Sequence, residues 1–209
     1  MTESNTPSTL FFDFGGVLAE EGFREGLMAL AQRFDLDPQG VFAAGADAVY
    51  DSGYVTGTAC EADFWSLLSR RTGLPPYRPG YTAEILQRFV LRRSMIAAVE
   101  RMRKAGFAVA ILSDQTDWLD RLDRRDHFFA VFDRVFNSYH LGIGKRDPAI
   151  FPRVTSAMHT VPQAALFIDD NADNVRRAEE EGLTGHLFRD VDSCLDLLHG
   201  LLGKAEKTP

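Results

Sequence analysis

The sequence is poor in the residues that staple, anchor or chelate. Two cysteines occur in 209 residues. Cys60 and Cys194 are too few for a disulfide framework and lack metal-ligand spacing, so both are expected to be small buried hydrophobes in a reducing compartment, the cytoplasm. No stretch approaches the roughly 18 apolar residues that a membrane-spanning helix needs. Residues 1–8 (MTESNTPS) lack a basic segment followed by an apolar one, so neither targeting nor anchoring is expected. The five histidines show no paired ligand spacing and are expected to be surface or satisfied core groups. Positive charge is also in deficit: 23 Lys and Arg stand against 30 Asp and Glu, a net charge of −7. That balance argues against non-specific binding to nucleic acid or to a membrane surface, and any anionic ligand must be met by local charge. Internal repeats and low-complexity tracts are missing too.

What is present is the composition of a compact soluble fold. Apolar residues make up 45% of the chain and charged residues 25%, and 16 phenylalanines occur. A chain of this length buries roughly 70% of its unfolded surface, which suits one large domain or a domain carrying an insertion.

Apolar runs that end in small or acidic residues set the expected architecture. Leu10-Phe11-Phe12 runs into Asp13, Phe107 to Leu112 into Ser113-Asp114, and Ala165 to Ile168 into Asp169-Asp170. Continuous short runs of this kind suit strands buried on both faces of a parallel sheet. Arg134 to Asn137 and His186 to Phe188 are weaker strand candidates. Helices are expected at about 94–105, 116–125, 147–158 and 172–181, with Gly106 and Gly182 as stop signals. The alternation predicts an α/β fold, a doubly wound parallel sheet.

Residues 20–92 interrupt that alternation with helical patterns and no convincing strand. Phe23, Leu27, Leu30, Ala31 and Phe34 recur at helical spacing, as do Phe64, Trp65, Leu67 and Leu68, then Ile85, Leu86, Phe89 and Val90. Thr58 with Glu61 offers a capping box for the third helix of this segment, and residues 73–80 (GLPPYRPG) read as a linker. The expected organisation is a core of 1–19 and 93–209 with an all-helical cap of 20–92. Phe64 and Trp65 are expected in the core of that cap, and the tail from Lys204 to Pro209 is expected to fray.

In open α/β sheets, ligands bind beyond the carboxyl ends of the strands. Asp13, Ser113, Asp169 and Asp170 stand at those ends. Three carboxylates on one rim repel unless a cation sits among them, and hard oxygen ligands suit Mg²⁺. Gly15 and Gly16 let the backbone after Asp13 turn tightly and approach a ligand. Ser113 offers a hydroxyl, and Lys145, in the loop Leu141-Gly142-Ile143-Gly144, offers a charge to balance a phosphate. Together these residues describe a phosphoryl site for a small-molecule phosphate ester. Simpler readings exist: Asp-x-Gly-Gly alone is usually a turn, and a lone lysine is usually solvated. Asp169-x-Asn171-x-Asp173 imitates a calcium loop, but Asn174 takes its required Gly place and a strand precedes it. Gly144-Lys145 is not a P-loop, since Arg146 replaces Ser or Thr.

Asp13-Phe14-Gly15-Gly16-Val17-Leu18, Leu112-Ser113-Asp114, Lys145 and Phe167-Ile168-Asp169-Asp170-Asn171-Ala172-Asp173-Asn174 resemble, in order and spacing, the four motifs of the haloacid dehalogenase-like hydrolase superfamily. The helical insert lies where its type-1 caps lie. Within the superfamily the likeness is to bacterial sugar-phosphate phosphatases resembling α-D-glucose-1-phosphate phosphatase. The resemblance implies an Mg²⁺-dependent phosphatase with Asp13 as nucleophile. It also implies Ser113 and Lys145 as phosphate ligands and Asp13, the Gly15 carbonyl and Asp170 as metal ligands, with Asp169 supporting the metal.

Three positions depart from the pattern. Gly15 stands where most phosphatases of the superfamily carry a second Asp as general acid and base, a group typically worth about 10²–10⁴-fold. Turnover should then be slow and steeply dependent on the leaving group, unless Asp114, a residue of the insert or the substrate's own hydroxyl supplies the proton. Asp114, expected with Gly15, Gly16, Ser113 and Lys145 among the substrate-binding residues, replaces the usual Asn, and Arg146 the usual Pro. Two further readings stay open: a non-catalytic or regulatory phospholigand-binding protein, which the loss at Gly15 permits, and a haloacid dehalogenase, against which the Asp169-Asp170 pair counts.

Overall fold

A computed structural model describes residues 7–205. Strands β1 (Thr9–Phe12), β2 (Ala108–Ser113), β3 (Arg134–Asn137), β4 (Ala165–Asp169) and β5 (Thr184–Leu187) form one sheet in the order β3-β2-β1-β4-β5, each neighbouring pair parallel. Alternate residues of each central strand face opposite sides, as the two-residue period of a strand dictates. Leu10, Phe12, Val109, Ile111, Leu166 and Ile168 join one apolar cluster; Phe11, Ala110, Leu112, Ala165 and Phe167 join the other. Both faces are covered, which is why these strands read as continuous apolar runs.

Helices α5 (Arg93–Lys104), α6 (Trp118–Asp126), α8 (Ile150–Ala157) and α9 (Ala172–Glu180) occupy the four expected helical stretches. Gly106 and Gly182 lie just past α5 and α9 at φ of 94° and 87°, a left-handed conformation that glycine adopts without steric cost and that ends helices. A short helix, α7 (Ser138–Leu141), follows β3, and α10 (Val191–Ala205) closes the fold. The latter buries Cys194, Leu198 and Leu201 on its inner stripe. Lys204 is therefore helical and not frayed; residues 206–209 of the expected tail, like residues 1–6, lie outside the described residues. No helix among the described residues is long and apolar enough to cross a membrane.

Between β1 and β2 the chain is helical: α1 (Gly22–Arg33), α2 (Pro38–Asp51), α3 (Glu61–Thr72) and α4 (Pro79–Leu86), with a single 3₁₀ turn at Tyr54–Thr56. The segment leaves and returns side by side. Ala19 bridges Leu91, and the Arg92 amide donates to the Leu18 carbonyl at 2.9 Å. Phe64 and Trp65 are fully buried, as expected. The Trp65 indole donates to Thr82 Oγ1 at 3.1 Å and its ring stacks on Tyr77.

Several local expectations are corrected. The box at the start of α3 is made by Cys60 and Asp63, not Thr58 and Glu61. The Cys60 amide donates to Asp63 Oδ2 at 2.9 Å, while Glu61, in the first turn, accepts from Tyr77, Thr82 and Arg121. Cys60 is accordingly exposed and only Cys194 is buried. The linker ends early, because Pro79 opens α4. Proline suits the first turn of a helix, where its missing N–H costs nothing. Phe89 is buried beyond the end of α4 and Val90 is exposed.

Candidate functional site

Because β1 lies between β2 and β4, the residues that end these strands meet at one rim. Asp13 follows β1, with its amide bonded to the Ile168 carbonyl at 2.9 Å. Ser113 ends β2 and Asp169 ends β4, with Asp170 the next residue. Asp13, Asp169 and Asp170 each bring a carboxylate oxygen within 4.8 Å of the others.

The cation among these carboxylates is in the first place Lys145. Its ammonium is buried, 2% exposed, and lies 3.0 Å from Asp13 Oδ1 and 2.6 Å from Asp169 Oδ2. It is neither a solvated surface lysine nor an uncommitted phosphate ligand. Burial alone would depress it, but the carboxylates of Asp13, Asp169 and Asp114 hold the ammonium well above the usual lysine range. Asp169 is closed off on every side: besides Lys145 it accepts from the Asn171 amide at 2.7 Å and from Asn174 Nδ2 at 3.2 and 3.3 Å. That turn starts α9, which Asn171 caps by accepting from the Asp173 amide. Because Ala172 to Glu180 form a helix, the calcium-loop reading fails.

Asp13 accepts from Ser113 Oγ at 2.6 Å and from the Phe14 amide at 2.7 Å, both on Oδ1. Burial pushes its pKa up to about 8 against the opposing pull of Lys145, with Asp169 adding to the rise. Asp170 is also raised, by burial and then by Asp169. A Cβ on Gly16, whose φ is +78°, would run into the Asp170 carboxylate, so this glycine provides both the turn and the seat for Asp170.

Asp114 lines the cavity over this rim and is engaged within the protein on both oxygens. Both of its oxygens accept from the Lys145 amide, at 2.9 and 3.0 Å, and it also takes the Tyr50 hydroxyl from α2. Arg146 stacks its guanidinium 3.7 Å from the Tyr50 ring centroid and donates to the Ala46 carbonyl at 3.3 Å. The two departures at 114 and 146 thus join the lysine loop to the helical insert. An Asn at 114 would offer only one oxygen to these donors.

A cavity of about 810 Å³ opens over this rim, walled below by Asp13, Ser113 and Lys145 and above by Glu21, Arg24 and Tyr50 of the insert. Sequence reasoning missed Glu21, Tyr50 and Arg92. Arg92 donates to the Gly16 carbonyl and pairs with Glu20 at 2.9 Å, which fixes the loop after Asp13. No local motif marks these residues. Glu21 alone carries a faint signal, as an acidic residue just before the first helix of the insert, where it caps α1. Its carboxyl is pushed up to about 7, by burial first and then by the charge of Asp170.

Comparison with known proteins agrees with this architecture. A family model, haloacid dehalogenase-like hydrolase, matches residues 7–182. Bifunctional epoxide hydrolase 2 of Rattus norvegicus is 29% identical over 120 residues, 54% of this chain and 21% of that protein. The chain thus spans about a fifth of the length of that relative and of its Mus musculus and Sus scrofa counterparts. Among solved structures, a predicted HAD-like family hydrolase of Porphyromonas gingivalis superposes with a TM-score of 0.71 at 23% identity, covering 94% of this chain and 98% of that one. A HAD family enzyme of Bacteroides thetaiotaomicron, in complex with magnesium and inorganic phosphate, gives 0.64 at 20% identity, covering 90% and 98%.

Proposed function

The chain belongs to the haloacid dehalogenase-like hydrolase family, and from that premise we propose that it is an Mg²⁺-dependent phosphatase. It hydrolyses a small phosphorylated metabolite, with a sugar phosphate favoured, through an aspartyl-phosphate on Asp13. The observation that carries this reading is the Lys145 ammonium bridging Asp13 and Asp169 beside the carboxylate of Asp170. The magnesium and inorganic phosphate held by the Bacteroides thetaiotaomicron enzyme support it. Residues 20–92 are proposed as the cap over a core of 1–19 and 93–209.

The donor set fits a hard divalent cation. Asp13 and Asp170 offer carboxylate oxygens, and the Gly15 carbonyl is the neutral ligand proposed beside them. Asp169 has its oxygens engaged inside the protein and serves as the support that holds Lys145. Mg²⁺ bound there would offset the charge of the phosphoryl oxygens and of the carboxylates. The chain's own residues do the rest. Ser113, at present bonded to Asp13, and Lys145 turn their protons to phosphate oxygens. One Asp13 oxygen attacks phosphorus in line with the departing ester oxygen, and water then frees orthophosphate and restores the carboxylate. The test is a panel of phosphate monoesters assayed with Mg²⁺ and with a chelator. Hydrolysis of at least one ester, lost on chelation, is expected; no hydrolysis, or hydrolysis indifferent to the metal, refutes the reading.

Metal binding should also be visible without turnover. The raised carboxyls of Asp13 and Glu21, about 8 and about 7, keep protons in the folded protein that the unfolded chain has released. Their stabilising contribution is complete at low pH and is lost as pH rises through 7 and 8, so the metal-free protein should melt lower at pH 8 than at pH 5.5. Mg²⁺ competes with the proton on Asp13, and its stabilisation should grow over the same interval. At a hundredfold excess over its Kd the gain is about 2.7 kcal/mol, roughly 5–10 °C for a chain of this size. Asp170→Ala should abolish it. A metal response equal at both pH values, or retained in Asp170→Ala, contradicts the assignment.

A further inference from the structure

Proton transfer is the one task in the proposed reaction that the strand-end residues leave unfilled. A departing alkoxide must take up a proton, and the water that later attacks the aspartyl-phosphate must lose one. Lys145 and Ser113 are committed to Asp13 and the phosphate, and Asp169 and Asp114 accept from donors inside the protein on both of their oxygens. Residue 15 has no side chain to offer.

The space that a side chain at 15 would enter is already occupied. A Cβ built on Gly15 would lie 3.3 Å from Glu21 Oε2, 3.4 Å from the Phe89 ring and 3.6 Å from Gln115 Nε2. Of these three groups only the carboxyl can give up and take back a proton. Glu21 reaches this place because it caps α1. Its Oε1 faces the Arg24 amide at 3.5 Å, and Oε2 is the oxygen turned to Gly15. It lines the same cavity as Asp13, Ser113 and Lys145.

We infer that Glu21 is the general acid and base of this site, supplied by the helical insert across the gap left at Gly15. The inference rests on the phosphatase reading. In the first step the bond from Asp13 Oδ to phosphorus forms as the ester P–O bond breaks, and the Glu21 carboxyl passes its proton to the departing oxygen, giving the alcohol. In the second, water attacks phosphorus, the Glu21 carboxylate takes its proton, and the bond to Asp13 breaks. Orthophosphate leaves and Glu21 is again protonated. Gly15 and Glu21 then form one device: an acid on the core strand is dispensable because the insert carries one to the same place, and a larger residue at 15 would crowd it.

The test compares kcat/KM, which reports the first chemical step, over esters from p-nitrophenyl phosphate to glycerol phosphate, for the natural protein, Glu21→Gln and Asp13→Asn. Glutamine keeps the size of the side chain and an oxygen to cap α1 but has no proton to give. Glu21→Gln should lower kcat/KM for the alkyl ester by about 10²–10⁴-fold and for the aryl ester by less than about tenfold, since nitrophenolate leaves unaided. Adding Gly15→Asp to Glu21→Ala, which clears the space, should recover much of the alkyl rate; φ at Gly15 is not in the left-handed region, so the backbone admits a side chain. An equal loss on all esters, as a purely structural role would give, or no loss, overturns the inference while Asp13-dependent hydrolysis keeps the phosphatase reading intact. Hydrolysis that survives Asp13→Asn overturns both.

Discussion

Asp13→Asn is expected to abolish Mg²⁺-dependent ester hydrolysis, lowering kcat by about 10⁶-fold, the scale found when the nucleophile of a covalent mechanism is removed. The neutral amide, its nitrogen lone pair delocalised into the carbonyl, is far too weak a nucleophile to attack phosphorus, and no neighbouring group replaces it: Asp169 is closed off by Lys145, Asn171 and Asn174. The fold should survive. Asparagine keeps the shape of the side chain, and its oxygen can take the hydrogen bonds from Ser113 Oγ and the Phe14 amide that now go to Oδ1. Lys145 keeps its shorter ion pair with Asp169. Burial already favours the neutral form of residue 13, so exchanging a carboxyl for a neutral amide should leave the metal-free melting temperature near its natural value. Acid quench during turnover should trap a phosphorylated natural protein and none of the variant. A variant that retains its rate would falsify the nucleophile assignment.

How far the sequence reaches is clearest at this site. Asp13, Ser113, Asp169 and Asp170 were legible because each follows or ends a short apolar run, and a parallel sheet brings the ends of its strands to one edge. Lys145 was suggested by its glycine-rich loop and singled out by the joint spacing of the four motifs, since no local pattern separates a buried lysine from a solvated one. The distances give it a further role: the cation that first neutralises Asp13 and Asp169 is this ammonium, and Asp170 is the carboxylate proposed, with Asp13, for a metal. Asp114 and Arg146 looked like defects in a motif. They proved to be one contact, in which Tyr50 bonds Asp114 and stacks under Arg146, and such a pairing depends on how α2 docks over the lysine loop. Docking of one helix on another is set by three-dimensional packing, which periodicity does not encode. Glu21 escaped notice for the same reason: its function is defined by the empty place at Gly15, and the two residues meet only when the insert folds back on the strand ends. In α10 the signal was present, with Cys194, Leu198 and Leu201 spaced as one buried stripe. In α3 the cap was misplaced because Cys60, an uncommon capping residue, took the position expected of Thr58.

Lys145→Met should give the largest loss of stability of any single change at the site. Methionine fills nearly the same volume but brings no charge, leaving Asp13 and the fully buried Asp169 without a cation. Removing one partner of a buried ion pair typically costs about 3–5 kcal/mol, a large part of the roughly 5–15 kcal/mol that holds a domain folded. The cost should depend on pH in a definite direction. Without the ammonium, which now opposes the rise, the Asp13 carboxyl holds its proton more tightly still, so the folded variant binds a proton that its unfolded chain releases, and its stability rises as pH falls. Denaturant unfolding should therefore show a wide gap between Lys145→Met and the natural protein at pH 8 that narrows toward pH 5. Adding Asp169→Asn should recover part of the stability at pH 8, because it removes the more deeply buried of the two carboxyls left without a cation. It should not recover activity, because the cation that faces the phosphoryl oxygens is still missing. Equal stability of Lys145→Met and the natural protein at pH 8, or a gap that widens on acidification, would show that the ammonium does not hold the strand ends together.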